Sequence, residues 1–242
     1  MARQKLFDNT ILAGNASVCI DLSGNANSMS FDAPYETTDT TSFADLVRKR
    51  EALLHDSSFE IGIQADAAEQ PRADLESLQS DPDGLWSWIE SNASMAEQDY
   101  GLFVQALQTN LQRVAQMDGI LTLNVSGDGN GHLIVGQVMQ EDETLSATGQ
   151  STGFQFGALS AGETLRAAMF VLTATAGTLD MTIESDDNSG FTSATTRMTF
   201  SQFSAVGTEQ QTVAGAITDD WWRVNYTIAT GPFVAVVLMG KQ

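Results

Sequence analysis

The sequence predicts a mainly β protein of two lobes, with a helix flanking the first lobe. Short segments alternate between apolar and polar residues, glycine, asparagine and aspartate separate them, and no helical pattern follows residue 153. We place a first domain, a β-sandwich or barrel with a helical insertion, at residues 1–148, and a second β-sandwich lobe at residues 149–242. The small, polar residues 147–153 mark the boundary.

Period-two alternation predicts the strands of the first lobe. Residues 17–22 and 27–32 flank the turn-forming residues Ser23, Gly24 and Asn25, which suggests a hairpin. A further strand is expected at residues 59–65. A second hairpin is expected where a glycine-rich loop, residues 127–131, joins strands at residues 120–125 and 132–139.

Helical spacing occurs at two places in the first lobe. Residues 43–54 carry apolar side chains every three or four positions, and Ser42 is a suitable N-cap. Residues 85–107 mix tryptophan, tyrosine and long aliphatic side chains in a way that suits one or two helices. We therefore expect a flanking helix followed by a helical insertion.

The second lobe reads as strands throughout. Alternation in the segment 222–226 puts Trp222, Val224 and Tyr226 on one face, which favours a place in the core. The alternative is that Trp221 and Trp222 stack on sugar rings. The expected strands are residues 165–174, 178–184, 196–203, 210–214, 222–229 and 233–239.

The charge of the chain excludes one class of function. Its 31 acidic and 11 basic residues give a formal net charge of −20. Lysine and arginine contacts to phosphates supply most of the affinity of a DNA-binding protein, so a sequence-reading DNA binder is not expected. The acidity suits either solubility alone or a surface over which DNA slides without sticking.

Three of the eleven basic residues are adjacent: Arg48, Lys49 and Arg50. On so acidic a chain they suggest a contact with acidic surface on another copy, within or between rings of an assembly. The alternative is a solvated face of the expected helix.

The residues that usually carry chemistry are scarce. One cysteine, Cys19, excludes internal disulfides, and its alternation favours a small buried residue on a strand over a reactive thiol. His55 and His132 lie in no metal motif, and no nucleophile elbow, phosphate loop or dinucleotide fingerprint occurs. The acidic loops around Asp128 and Asp186 favour plain turns over calcium sites. We expect no enzyme activity, no metal and no cofactor.

Neither export nor membrane insertion is expected. Arg3 and Lys5 are followed by polar residues instead of an apolar stretch, so no secretory signal is apparent. The apolar run of residues 233–239 is too short to span a bilayer.

Two stretches resemble the tail tube proteins of long-tailed bacteriophages (siphophages). The first has an Asp-Leu-Ser strand and turn at Asp21, a second strand, an acidic and threonine-rich segment, a long loop, and a Leu-x-Asp-x-Ser-Phe strand beginning at Leu54. The second resembles the C-terminal β part of longer tube proteins. Order and spacing carry the resemblance, over residues 20–31, 36–43, 53–61, 176–187, 205–209 and 222–224.

The resemblance implies a structural virion protein that is made in the bacterial cytoplasm and ends in the phage tail. Copies would close into rings, six copies or three copies with pseudo-six-fold symmetry, and stack into a hollow tube. Its partners would be other copies, the tape-measure protein, and tail terminator and distal tail proteins. Double-stranded DNA would pass through without specific binding, and no membrane is involved.

Two other functions fit the same residues. A capsid decoration or head-stabilising protein would also be acidic, rich in β-strands and free of catalytic motifs. A carbohydrate-binding β-sandwich module using Trp221 and Trp222 belongs to a different class, and the lack of an apparent secretory signal argues against it.

Overall fold

The computed structural model describes residues 9–39, 47, 50–65, 71–91, 94–115 and 121–242. Within them the chain forms nineteen strands and one helix, which confirms the mainly β prediction. No helix of this described part is long and apolar enough to cross a membrane. The elements are β1 Asn9–Asn15, β2 Val18–Asp21, β3 Ala26–Asp32, β4 Tyr35–Asp39, β5 Arg50–His55, β6 Ser58–Ala65, α1 Pro71–Leu78, β7 Leu85–Glu90, β8 Tyr100–Ala115, β9 Leu121–Gly129, β10 Ile134–Gln140, β11 Thr144–Leu145, β12 Gly149–Gln150, β13 Phe154–Gln155, β14 Thr164–Ala174, β15 Leu179–Asp186, β16 Thr195–Thr199, β17 Gly207–Ala214, β18 Trp221–Ile228 and β19 Phe233–Lys241.

A central antiparallel sheet runs in the order β17-β14-β19-β10-β8-β7-β1-β2. Strands β1 and β2 contact β17, and β2 contacts β14, so the path curls back toward its own start. Six of its strands supply one apolar core between them. With Met95, that first core consists of Leu12, Leu85, Ile89, Phe103, Ile134, Val138, Ala168, Phe170, Val236 and Leu238.

Strand β8 is sixteen residues long and belongs to two sheets. Residues 100–105 pair in the central sheet with β7, and residues 100–103 also with β10, whereas residues 106–115 pair with β9. Strands β9, β6 and β3 continue this second sheet. It packs across the other face of β1, β7 and β8 to enclose a second core, to which α1 contributes Leu75 and Leu78.

A third core lies on the outer face of β14 and β19, beneath a sheet ordered β12-β18-β15-β16 in which β13 also pairs with β18. Along β14, Met169 faces this third core and Phe170 faces the first, so both sides of the strand are covered. Trp222, Val224 and Tyr226 are buried in the third core, as their alternation predicts. The six predicted strands of the second lobe correspond to β14 through β19.

Strands from both sides of the proposed boundary at residue 148 share the central sheet. Strand β10 pairs with β19, and β19 in turn pairs with β14. The division into residues 1–148 and 149–242 stays a prediction about domain organisation.

The helical predictions for residues 43–54 and 85–107 are corrected where the structure describes them. Arg50–His55 forms β5, and residues 43–46, 48 and 49 lie outside the described residues. Leu85–Glu90 and Tyr100–Ala115 are strands β7 and β8. The reason is that β7 is buried on both faces, with Trp86 in the second core and Leu85 in the first, so its alternation is hidden.

The two predicted hairpins are also wrong. Strand β2 pairs with β1, β3 pairs with β6, and β9 and β10 pair separately with β8. Gly127 and Gly129 lie inside β9, where a Cβ on Gly127 would come within 2.3 Å of Phe59. Close packing, and not a turn, is what this glycine permits.

Candidate functional site

Strands β4 and β5 form a two-stranded arm that pairs with no other strand among the described residues. Thr37 lies opposite Ala52, and Asp39 lies opposite Arg50. A two-stranded hairpin is at best marginally stable in water without a surface to pack on. Among the described strands, these two therefore have no further strand pairing to stabilise them.

One residue of the predicted basic site, Arg50, lies on this arm. Arg48 and Lys49 lie outside the described residues, and Arg50 is the first residue of β5. The structure replaces the expected helix with a strand at Arg50, so a solvated helix face no longer describes that residue. The contact of these three residues with another copy stays a prediction.

A group of carboxylates gathers where the segment before β8 meets the segment after β10. Burial raises the pKa of Glu97, against the hydrogen bond that Thr152 N donates to its Oε1 at 2.9 Å. Burial also raises the pKa of Glu141, and the charges of Glu143, Glu97, Asp142 and Asp99 add to that shift. The pKa of Tyr226 rises through burial and then through Glu143 and Glu97. Like charges are therefore concentrated at this place in the fold.

An apolar strip crosses the outer face of the central sheet and was missed in the sequence. It consists of Trp88 on β7, Tyr100 and Leu102 on β8, and Val135 on β10, and Leu102 lies opposite both Trp88 and Val135. Tyr100 is 65% exposed and Val135 is 60% exposed. Alternation cannot distinguish such exposed apolar residues from core residues, because both occupy the same positions of a strand.

Two charged pairs lie at the sheet ordered β12-β18-β15-β16, which we call the outer sheet. Arg223 donates from Nε and Nη2 to Oε2 of Glu184 at 3.0 and 2.9 Å, and Asn225 donates to Oε1 at 2.9 Å. The guanidinium also lies 4.3 Å from the centre of the Phe191 ring. The nearby pair consists of Arg197 and Asp219, with Nη2 and Oδ2 2.8 Å apart.

The acidic loop after β15 is a turn in which the carboxylate of Asp186 accepts hydrogen bonds from donors of the same loop. Asp186 accepts from the backbone N of Asp187 and Ser193, and from Nδ2 of Asn188. Asp128 lies within β9, opposite Ser58, and not in a loop. The described residues contain no group of three or more histidine, cysteine, aspartate or glutamate side chains placed to hold a metal ion.

The two tryptophans proposed for sugar stacking differ in how deeply they are buried. Trp222 is fully buried, and its Nε1 donates to the carbonyl oxygen of Gly157 at 3.0 Å. Trp221 is half-buried on β18, opposite Gln155 of β13. The carbohydrate-binding alternative therefore loses one of its two rings.

The cysteine and the two histidines belong to different elements. Cys19 lies on strand β2, as predicted, but is half-buried instead of fully buried, and burial raises the pKa of its thiol. His55 is the last residue of β5, and His132 lies between β9 and β10.

No protein-family model and no curated protein matches the chain. Solved viral structures do match it. The crystal structure of SPP1 Dit, described as a paradigm of the hub adsorption apparatus in phages infecting Gram-positive bacteria, aligns over 97% of this chain and 99% of its own. Its sequence identity is 13% and its TM-score is 0.35.

Two further structures align at similar scores. The phage p2 baseplate in its activated conformation with Ca covers 97% of this chain and 98% of its own, at 7% identity and a TM-score of 0.37. A structure of infectious bursal disease virus, Gx strain, covers 96% and 67%, at 8% identity and a TM-score of 0.33. TM-scores in this range do not establish a common fold, so these likenesses assign the chain no family.

Proposed function

We propose that the chain is a structural virion protein of a long-tailed phage, whose copies form stacked rings that make up the hollow tail tube. The observation that carries this proposal is the isolated β4–β5 arm. A two-stranded ribbon gains stability by packing on another surface, and a neighbouring copy supplies one.

Charge gives the arm a reason to dock on a copy. The segment that joins β4 to β5 contains Arg48 and Lys49, and Arg50 begins β5. Burial first, and then the charges of neighbouring carboxylates, raise the pKa values of Glu97 and Glu141, so acidic side chains lie close together on one copy. Contacts of the three basic residues with acidic surface on the next copy would relieve part of the repulsion between such side chains.

The sheets supply edges for ring closure. Strand β3 pairs with β6 alone, and β16 pairs with β15 alone, among the described strands. Ring formation covers such edges, which would otherwise invite uncontrolled association. Six copies, or three with pseudo-six-fold symmetry, would form a ring, with the tape-measure, terminator and distal tail proteins as further partners.

The acidity of the chain suits a conduit for DNA. Charged side chains act on a phosphate within roughly one Debye length, about 8 Å at physiological salt. Lysines on the wall would bind phosphates and slow transit, whereas carboxylates leave the duplex mobile. The net charge of −20 is consistent with a wall of this kind.

Neutralising the basic cluster tests the proposal. We expect the triple change Arg48→Gln, Lys49→Gln and Arg50→Gln to abolish stacking into rods in negative-stain images while circular dichroism stays unchanged. A matched control adds the same charge difference at exposed glutamines, with Gln64→Glu, Gln112→Glu and Gln150→Glu. Rods that survive the triple change at low salt would rule out the arm as the stacking element.

A further inference from the structure

The apolar strip of Trp88, Tyr100, Leu102 and Val135 lines one shallow groove and borders a second, and Trp88 is a wall of both. One groove, of about 160 Å³, is formed by the strip itself together with Glu90 and Gly101. The other, of about 200 Å³, lies between the central sheet and β3 and is lined by Asn9, Ile11, Ser23, Ala26, Asn27, Ser28, Met29 and Trp88. The strip and the two grooves form one continuous surface around the Trp88 ring.

We infer that this surface is an interface with a second copy of this chain. The inference rests on the proposed self-assembly and says which face takes part in it. Two of the three most exposed large apolar side chains of the described residues, Tyr100 and Val135, belong to the strip. Exposed apolar residues that cluster in this way mark association surfaces.

The size of the grooves favours side chains over a small molecule. Ligand pockets of proteins usually enclose about 300 to 1,000 Å³. Grooves of about 160 and 200 Å³ beside Trp88 are below that range, and each has room for one or two inserted side chains. A protein surface with projecting apolar residues fits this shape.

Charge selects a copy of this chain as the occupant. Two chains that each carry −20 repel wherever their carboxylates meet, so they approach best through a face with little charge. Among the described residues that line one groove or the other, Glu90 is the charged one. A cationic partner would gain more at the carboxylates around Glu141, and an anionic membrane surface would be repelled by the whole chain.

A strand edge beside the strip gives the contact a direction. Strand β3 forms one wall of the larger groove and uses one edge for β6. No other described strand pairs with β3, so the backbone of a neighbouring copy would pair with its second edge.

A lysine placed in the strip tests the inference. Val135→Lys lowers the net negative charge and so weakens general repulsion between copies, yet it puts a charge into the proposed interface. Thr227→Lys, at an exposed position of β18 in the outer sheet, makes the same change in charge away from the strip. We expect Val135→Lys to weaken association by about tenfold to a hundredfold in sedimentation velocity. Thr227→Lys should leave association unchanged or strengthen it.

The outcomes separate this inference from the proposed function. If the unchanged chain associates and Val135→Lys associates equally well, something other than a copy covers the strip and the inference is wrong, although the proposed assembly stands. If the unchanged chain is monomeric at every concentration, both fail. Circular dichroism melting of Val135→Lys provides the folding control, and Val135→Thr should associate better than Val135→Lys if the lysine charge is what disrupts the contact.

Discussion

The rings of Phe59 and Trp86 stack with their centroids 4.2 Å apart at an interplanar angle of 28°. Phe59 lies on β6 of the second sheet and Trp86 on β7 of the central sheet, so this contact joins the two layers across the second core. Gly127 lies opposite Phe59 on β9 and leaves room for the ring.

This stacking predicts that Gly127→Ala is destabilising. The added Cβ would lie 2.3 Å from Cε1 of Phe59 and 2.5 Å from the carbonyl oxygen of Leu107, and Trp86 limits how far the Phe59 ring can retreat. We expect a loss of about 1 to 3 kcal/mol in the free energy of unfolding by urea. Gly131→Ala is the control, because nothing lies within 4 Å of its Cβ position. Equal losses in the two variants would contradict this explanation.

Replacing Gln108 by an apolar residue is predicted to stabilise the fold. Its side chain is 1% exposed on β8, and neither its Nε2 nor its Oε1 has a hydrogen-bond partner among the described atoms. Burying an unpaired amide costs free energy that an apolar side chain of similar size does not. We expect Gln108→Met to raise the free energy of unfolding by about 1 kcal/mol.

The control for Gln108 is a glutamine that does have a partner. Gln105→Met removes the hydrogen bond from Nε2 to Oδ1 of Asp83, which is 2.7 Å long. Its free energy of unfolding should stay unchanged or fall. A loss of stability in Gln108→Met would mean that its amide is satisfied in solution.

How much of the fold and of the candidate site could be predicted from the sequence depends on which faces of each strand are covered. Trp222, Val224 and Tyr226 alternate with half-buried or exposed residues, so their place in the core was predictable. In β7, Trp86 and Leu85 face different cores, and the alternation disappears. Val135 occupies a position on β10 that alternation would equally assign to the core. Whether it is exposed depends on whether another sheet covers that face of β10, and the local sequence does not encode this.

Strand partners were less predictable still. Turn residues indicate where the chain reverses, but not which strand it pairs with afterwards. The sharing of β8 between two sheets depends on its length and on the irregular register between Gln108 and Asn110, which only the assembled sheets determine.

The ion pair between Arg223 and Glu184 should be costly to break from one side. Their side chains are 15% and 11% exposed, so Arg223→Met leaves the carboxylate of Glu184 largely buried, with the hydrogen bond from Nδ2 of Asn225 to its Oε1 at 2.9 Å still in place. We expect a loss of about 3 kcal/mol in urea unfolding. The double change Arg223→Met and Glu184→Leu should lose less than the single change, since no unpaired charge remains. A larger loss in the double variant would contradict this view of the pair.

Asp219 predicts a dependence of stability on pH. Hydrogen bonds from Ser185 and Arg197 hold the pKa of Asp219 below its ordinary value of 3.8. A lowered folded-state pKa stabilises the fold above the unfolded pKa, and this stabilisation is lost as the pH falls through the folded value. The wild-type chain should therefore exceed Asp219→Asn in melting temperature at neutral pH, and the difference should shrink below about pH 4. A difference that stays constant down to pH 2 would contradict the assignment.

Self-association of the unchanged chain is the central claim, and sedimentation velocity over a wide range of concentration and salt measures it most directly. The isolated β4–β5 arm, the open edge of β3 and the apolar strip predict concentration-dependent oligomers of ring size, with rings or hollow rods in negative-stain images of the same samples. A chain that sediments as a monomer under every condition would contradict it.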